Sequence, residues 1–237
     1  MEHIHLTDVQ YSWQPNQLTI DIPELIIERY SRVFIKGPSG CGKTTLLGLL
    51  GGIMLPNQGS INLLGTDVAK LSSIQRDHFR SEHIGFIFQM FNLLPYLSVV
   101  DNIILPCRFS KKRKQKALAE YSSLPEAAMS LLTQLGLNQP DLHKRKVTEL
   151  SIGQQQRVAA ARALIGHPEL IIADEPTSAL DTDAREGFLK LLFEVCKKAG
   201  ATLLFVSHDG TLEHLFSNTL DMRLINKASQ TVSSEGA

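Results

Sequence analysis

The chain carries no excess of charge. Its 237 residues include 24 Lys and Arg against 24 Asp and Glu. That balance excludes a general grip on nucleic acid through bulk basicity. Cysteine is scarce, at three residues: Cys41, Cys107 and Cys196. Their spacing fits no metal site and their odd number fits no disulfide framework, which points to a reducing compartment. Cys107 and Cys196 read as small buried hydrophobes. Long hydrophobic runs are also missing. The longest, 46–55, is short and interrupted by glycines, so no bilayer span is expected. Met1-Glu-His-Ile-His5 does not read as a signal peptide. There is no internal repeat, and Trp13 is the single tryptophan.

What is present begins with Gly37-Pro38-Ser39-Gly40-Cys41-Gly42-Lys43-Thr44, which fits the phosphate-binding pattern G-x-x-x-x-G-K-[ST]. An apolar strand, 31–36, precedes it, and a helix start at Thr44-Thr45-Leu46-Leu47 follows. Glycines let the backbone turn tightly and aim its N–H groups at one anion. The helix N-terminus adds about half a positive charge. Lys43 is expected to reach the β- and γ-phosphates, and Thr44 to place its hydroxyl on Mg²⁺.

The remaining pattern is α/β. Alternating residues to about position 35 predict half-buried antiparallel strands, and 59–65 reads as another strand bounded by turns. Short apolar runs at 33–35, 84–88, 170–173 and 203–206 predict a parallel core. A mostly helical insertion is expected at about 90–151, and an amphipathic helix at 183–198. The tract Lys111-Lys-Arg-Lys-Gln-Lys116 reads as a solvated loop or helix end, with a contact to anionic lipid or an acidic partner as the alternative. Residues after Asn226 read as a frayed tail.

Leu170-Ile-Ile-Ala-Asp174-Glu175 is an apolar strand ending in two carboxylates. Asp174 at its tip suits Mg²⁺ through the ion's water shell, and Glu175 suits polarisation of an attacking water. Ser151 and Gln154 have the spacing of a capping box, and a serine at a helix start also makes an anion site.

In order along the chain stand the phosphate loop, Gln89 after 84–88, Leu150-Ser151-Ile152-Gly153-Gln154, Asp174-Glu175, Ser178-Ala-Leu-Asp181 and Ser207-His208. This succession resembles an ABC-type ATPase over nearly the whole chain. The resemblance implies a P-loop NTPase fold: a RecA-like parallel-sheet core with an antiparallel β lobe and an inserted helical lobe, together one nucleotide-binding domain over 1–237. It implies ATP and Mg²⁺ as cofactors, ATP hydrolysis, and a head-to-tail homodimer or paired ABC subunit. Each ATP would be sandwiched between one phosphate loop and the other subunit's Ser151–Gln154 element. It further implies that Gln89 senses Mg²⁺ and water, that His208 contacts the γ-phosphate, and that Asp181 lies at the dimer interface. An aromatic of 9–13 would stack on adenine, with Trp13 preferred to Tyr11.

Within the family, Arg80-Ser-Glu-His-Ile-Gly-Phe-Ile-Phe-Gln89, Phe91-Asn-Leu-Leu-Pro-Tyr-Leu-Ser98 and Asp101-Asn-Ile-Ile-Leu-Pro106 resemble the lipoprotein-releasing and macrolide-efflux (LolD/MacB-like) branch. That implies a peripheral subunit energising an integral-membrane permease at the cytoplasmic face of the inner membrane. An FtsE-like regulatory or mechanical ATP switch shares every site residue and stays open. A soluble repair or translation ATPase lacks support, since the usual insertions or second domain are missing. One position departs from the family pattern: Ile152 stands where a glycine is usual. A β-branched residue there is expected to crowd the partner's phosphate or to strain the turn, and so to lower hydrolysis.

Overall fold

The structure, a computed structural model, describes residues 2–15 and 17–231. In chain order the elements are β1 (Glu2–Gln14), β2 (Gln17–Glu28), β3 (Arg32–Lys36), α1 (Lys43–Leu50), β4 (Gln58–Leu63), β5 (Thr66–Asp67) and α2 (Ser73–His83). Then come β6 (Ile84–Ile87), α3 (Val99–Phe109), α4 (Lys111–Glu120), α5 (Leu124–Gln134), α6 (Ile152–Leu164), β7 (Leu170–Asp174) and α7 (Thr182–Ala199). Last are β8 (Thr202–Val206), β9 (Asn218–Asp221), α8 (Met222–Ile225) and α9 (Ala228–Thr231). The chain divides into two compact units, 1–80 with 204–237, and 81–203.

The first unit contains an antiparallel sheet of order β2-β1-β4-β5 and the strand succession β8-β3-β9, in which β3 and β9 run parallel. Its register shows how sequence places the aromatic residues. Ile4 and Leu6 are buried, and strict alternation would next bury position 8. Instead Asp8 takes a left-handed φ of 50°, the pairing with β4 skips from Thr7–Ser60 to Gln10–Gln58, and Val9 turns inward. This bulge moves Val9 and Tyr11 onto the face of Leu6, since an extra residue reverses the side-chain parity. Gly59 is required opposite it, because a Cβ there would lie 2.3 Å from the Asp8 carbonyl oxygen. Around β3 and β8, Phe34, Phe205 and Phe216 form a triad with ring centroids 5.1–6.2 Å apart. Each such pair adds about 0.5–1.5 kcal/mol beyond area burial.

The second unit pairs β6 with β7 in parallel and surrounds them with helices. Helix α6 carries buried Ala159, Ala160, Ala161 and Ala163. Small side chains let its backbone approach β6 so closely that a Cβ on Gly85 would sit 2.2 Å from the Ala163 carbonyl. The helices of the insertion start with Ser caps: Ser98, Ser110 and Ser123 accept the N–H of Asp101, Arg113 and Glu126.

Two expectations change here. The basic tract 111–116 begins a helix, but it is not a solvated face. Arg113 is buried, while Lys112 and Lys116 each donate to Glu169 at 3.1 Å. Only Lys111 and Lys114 among its cations are exposed, which removes most of the charge a lipid contact would use. The tail is also ordered further than composition suggests. Asn226 is fully buried, Lys227 donates its N–H to the Asp21 carbonyl, and Ala228 is buried in α9. Residues 232–237 lie outside the described residues. Strand β9, rich in Asn, Thr and Asp, went unread because it has no apolar run.

Candidate functional site

In the first unit the phosphate loop leaves β3 and enters α1. Gly40 (φ 81°) and Gly42 (φ 95°) are left-handed, a conformation that disfavours any side chain. Gly42 is doubly constrained, because a Cβ there would meet Ile20 at 2.8 Å and the Thr19 carbonyl at 3.1 Å. Gly40 faces open space, so its requirement is conformational alone. Lys43 arches back over the loop, its Nζ donating to the carbonyls of Gly37 (2.7 Å) and Pro38 (2.9 Å). That fixes an ammonium above the glycine-rich turn at the start of α1, an arrangement that suits an anion. Pro38, Ser39 and Thr44 are exposed. Cys41 points inward, 6% exposed, with its sulfur occupying the space beside Gly37. It contributes backbone rather than thiol chemistry.

Asn226 secures this loop from the far end of the chain. Its side-chain N–H groups donate to the carbonyls of Thr19 (2.9 Å) and Cys41 (3.1 Å), and its Oδ1 accepts from Asp21 N–H at 2.8 Å. A single asparagine beside an apparently loose tail gave no sequence signal for this.

Trp13 is 64% exposed, and its indole N–H donates to Thr45 Oγ1 at 3.2 Å, next to the start of α1. Tyr11 meets it edge-on at 5.3 Å. Trp13 also lines a cavity of about 400 Å³ with Gln10, Ser12, Leu18 and Asn57. The ring is thus exposed and tethered to the phosphate-loop helix, not consumed in packing. His208 follows β8 between two fixed neighbours. Ser207 Oγ accepts the Asp209 N–H at 3.1 Å, and Asp209 caps the 3₁₀ turn Gly210–Leu215 through Thr211 N–H at 3.1 Å. Lys36, just before the loop, holds Glu213 of that turn in a two-pronged ion pair at 2.9 and 3.0 Å.

The second unit holds the other predicted residues. Asp174 ends β7, half-buried. Glu175 follows with φ 45°, a left-handed conformation costing a non-glycine residue about 1–2 kcal/mol. Its carbonyl accepts Ser178 N–H at 3.3 Å, and buried Gln156 of α6 donates to the Pro176 carbonyl at 2.7 Å. The strain is thus maintained by contacts on its C-terminal side, as at sites where side-chain aim matters more than stability. Gln89 is exposed, two residues after β6. Asp181 caps α7 by accepting Ala184 N–H at 2.8 Å.

Ser151 and Gln154 form the expected capping box at the start of α6, with both reciprocal bonds made, at 2.9 and 3.3 Å. A Cβ on Gly153 would meet only Leu180, at an ordinary 3.6 Å. Neither steric room nor left-handed φ within the chain demands glycine there. Ile152 is the first helical residue, 53% exposed, and is not among the left-handed residues. The expected left-handed strain of the turn is therefore not found.

Two arginines, buried Arg113 and half-buried Arg162, had no sequence signal. Arg113 donates to the carbonyls of Ala163 (2.6 Å), Ile165 (2.7 Å), Arg162 (3.3 Å) and Ile84 (3.4 Å). Burial pushes its pKa down to about 10, still charged at neutral pH. Arg162 donates to the carbonyls of Phe91 and Asn92, both at 2.6 Å. Burial likewise lowers its pKa. Nearby Glu169 feels burial as an upward push, yet hydrogen bonds from His83, Lys112 and Lys116 outweigh it and hold the carboxyl well below its ordinary range.

The chain is 37% identical over 219 residues to the lipoprotein-releasing system ATP-binding protein LolD of Bacteroides fragilis (strain YCH46), covering 92% of this chain and 97% of that protein. It is 39% identical over 199 residues to the macrolide export ATP-binding/permease protein MacB of Rhodopirellula baltica (strain DSM 10527 / NCIMB 13988 / SH1), spanning 84% of this chain but 28% of that protein. The dimeric post-hydrolysis structure of the ATP-binding cassette MJ0796 bound to ADP and Pi superposes with a TM-score of 0.78 at 29% identity, covering 95% of both chains. The fold is therefore the P-loop cassette that the motif order implied. Residues 21–178, containing the phosphate loop, the capping box and the strained carboxylate turn, match the ABC transporter family, and to that family this chain belongs.

Proposed function

We propose that the chain is the ATP-binding and ATP-hydrolysing subunit of an ABC-type membrane complex of the lipoprotein-releasing and macrolide-efflux kind, one nucleotide-binding domain in extent. The observation that carries it is the phosphate loop with Lys43 arched over two left-handed glycines and an exposed tryptophan tethered to the same helix. The phosphate loop, 37–44, and Thr45 bind the polyphosphate, and Trp13 stacks on adenine. Glu175 orients and deprotonates the attacking water, and His208 contacts the γ-phosphate. Ser151, Gly153, Gln154 and Asp181 serve the ATP held by a second copy, so that ATP draws two copies together.

Mg²⁺ fits the donor set. Thr44, Gln89 and Asp174 offer hydroxyl, amide and carboxylate oxygens, the hard ligands this ion prefers beside phosphates and water. When bound it neutralises charge on the β- and γ-phosphates. Among the described residues no helix is long and apolar enough to cross a membrane. The chain works peripherally, at the cytoplasmic face of the inner membrane, through an integral-membrane partner. The partner decides what is moved. Purifying the chain from its own membranes tests this reading. A membrane protein with few spans and a large extracytoplasmic domain is expected to accompany it. A multi-span pore-forming partner, or none, would contradict the branch assignment.

A further inference from the structure

Helix α6 is capped by Ser151 and ends, two residues after Arg162, in a seat made by buried Arg113. Arg162 bridges this helix to the segment after Gln89. It reaches two consecutive carbonyls, of Phe91 and Asn92, at 2.6 Å each. Those residues are left-handed, with φ of 59° and 48°. Two adjacent non-glycine residues do not hold that conformation unaided, since each carries a steric cost. Both carbonyls are presented to one planar guanidinium fork, a geometry that an ammonium cannot reproduce. The backbone of Arg162 is itself held, because its carbonyl accepts from Arg113 at 3.3 Å. Helix α6 also approaches β6, the strand before Gln89, closely at Gly85.

We infer that Arg162 is a positioning residue for ATP hydrolysis, locking the segment that follows Gln89 onto the helix that carries Ser151 and Gln154, so that the two move as one body. A displacement of Gln89 is then felt at the start of α6, and engagement of the α6 start by a second copy is felt at Gln89. The inference rests on the roles proposed above for Gln89 and for the Ser151–Gln154 element. It adds a residue that acts through the segment after Gln89 and the start of α6. Its chemistry is mechanical: a forked donor clamps two carbonyls, and α6 acts as a rigid arm of 13 residues.

The test is a double-mutant cycle in the full chain, with Arg162→Lys, Gln89→Ala and the double variant, read as kcat, KM and equilibrium MgATP binding. Arg162→Lys keeps the charge and loses the fork. It is expected to lower kcat about tenfold or more, the scale of one charge-assisted hydrogen bond, with KM and ATP affinity unchanged. Gln89→Ala is expected to lower kcat as well, and the double variant to be no slower than Gln89→Ala alone. Multiplicative losses in the double variant would overturn the coupling while leaving the role of Gln89 standing. A Gln89→Ala variant at wild-type rate would overturn the role of Gln89 and the coupling with it. Should Arg162→Lys fail to fold, Arg162→Gln keeps a polar side chain but is too short to fork across both carbonyls. The same loss confined to kcat supports the lock, and an unchanged kcat overturns it.

Discussion

Replacing Arg113 by Met should cost the second unit about 3 kcal/mol. The guanidinium supplies four backbone carbonyls, two of them at 2.6 and 2.7 Å from Ala163 and Ile165. Those two lie at the C-terminal end of α6, where carbonyls have no partner within the helix. A buried acceptor left unmet costs about 1–3 kcal/mol, so the two short bonds alone set a range of about 2–6 kcal/mol. Methionine refills part of the volume and no longer buries a charge, which places the net loss in the lower half. The turn after α6 cannot slide in to compensate, because Gly166 already abuts the Arg113 backbone, where a Cβ would lie 2.4 Å from its carbonyl. Urea unfolding followed by far-ultraviolet circular dichroism measures the change. Lys114→Ala, on the exposed side of the same helix, is the control and should stay within about 0.5 kcal/mol. A loss at Arg113 no larger than at Lys114 would mean that the tract is the solvated run its composition suggests.

Trp13→Ala should weaken MgATP and MgADP alike, by about 1–3 kcal/mol on the scale of base–aromatic stacking, and leave their ratio intact; calorimetry reads both. A Tyr11→Ala variant that is weaker than Trp13→Ala would move the adenine contact two residues upstream. Ile152→Gly should raise kcat at saturating ATP without changing nucleotide affinity of the monomer, because the exposed side chain at the start of α6 no longer stands before the partner's phosphate. Unchanged or lower turnover would show a site adapted to isoleucine. Glu169→Gln should destabilise the protein at neutral pH. The carboxyl's folded pKa is depressed, so its contribution is fully present above the unfolded value of about 4.3 and lost as pH falls below it. Denaturation midpoints of wild type and variant should therefore differ by a constant amount from pH 5 to 7 and converge below pH 4. A gap that closes on approach to pH 7 would contradict the assignment.

The legible parts of this chain were those where chemistry or periodicity leaves few choices. A phosphate loop needs glycine at fixed places, and Gly40 and Gly42 proved left-handed as the pattern requires. The capping box at Ser151 and Gln154 was readable because both reciprocal bonds lie within four residues. Apolar runs marked β3, β6, β7 and β8, whereas β9 was hidden by polar residues at a sheet position beside β3. Long-range partnerships were illegible for a different reason. Asn226 reaches Cys41 across 185 positions, and Arg113 reaches Ile165 across 52. Both bind backbone carbonyls, which every residue possesses, so no complementary side chain announces the pairing. The basic tract failed as a surface reading for the same reason: its central arginine is satisfied by carbonyls, not by acids. The strain at Glu175 was equally invisible, since it arises from how 176–178 are held and not from the glutamate itself.

The most direct test of the central claim is Glu175→Gln in the full chain, assayed for hydrolysis and for ATP-dependent association by size-exclusion chromatography. Glutamine keeps the shape of the side chain and removes the base. The account predicts retained MgATP binding, turnover reduced about 10²–10⁴-fold, and a dimer that forms with ATP and dissolves with ADP, because uncleaved nucleotide holds both copies. Hydrolysis near the wild-type rate, with a monomer in the presence of ATP, would contradict it.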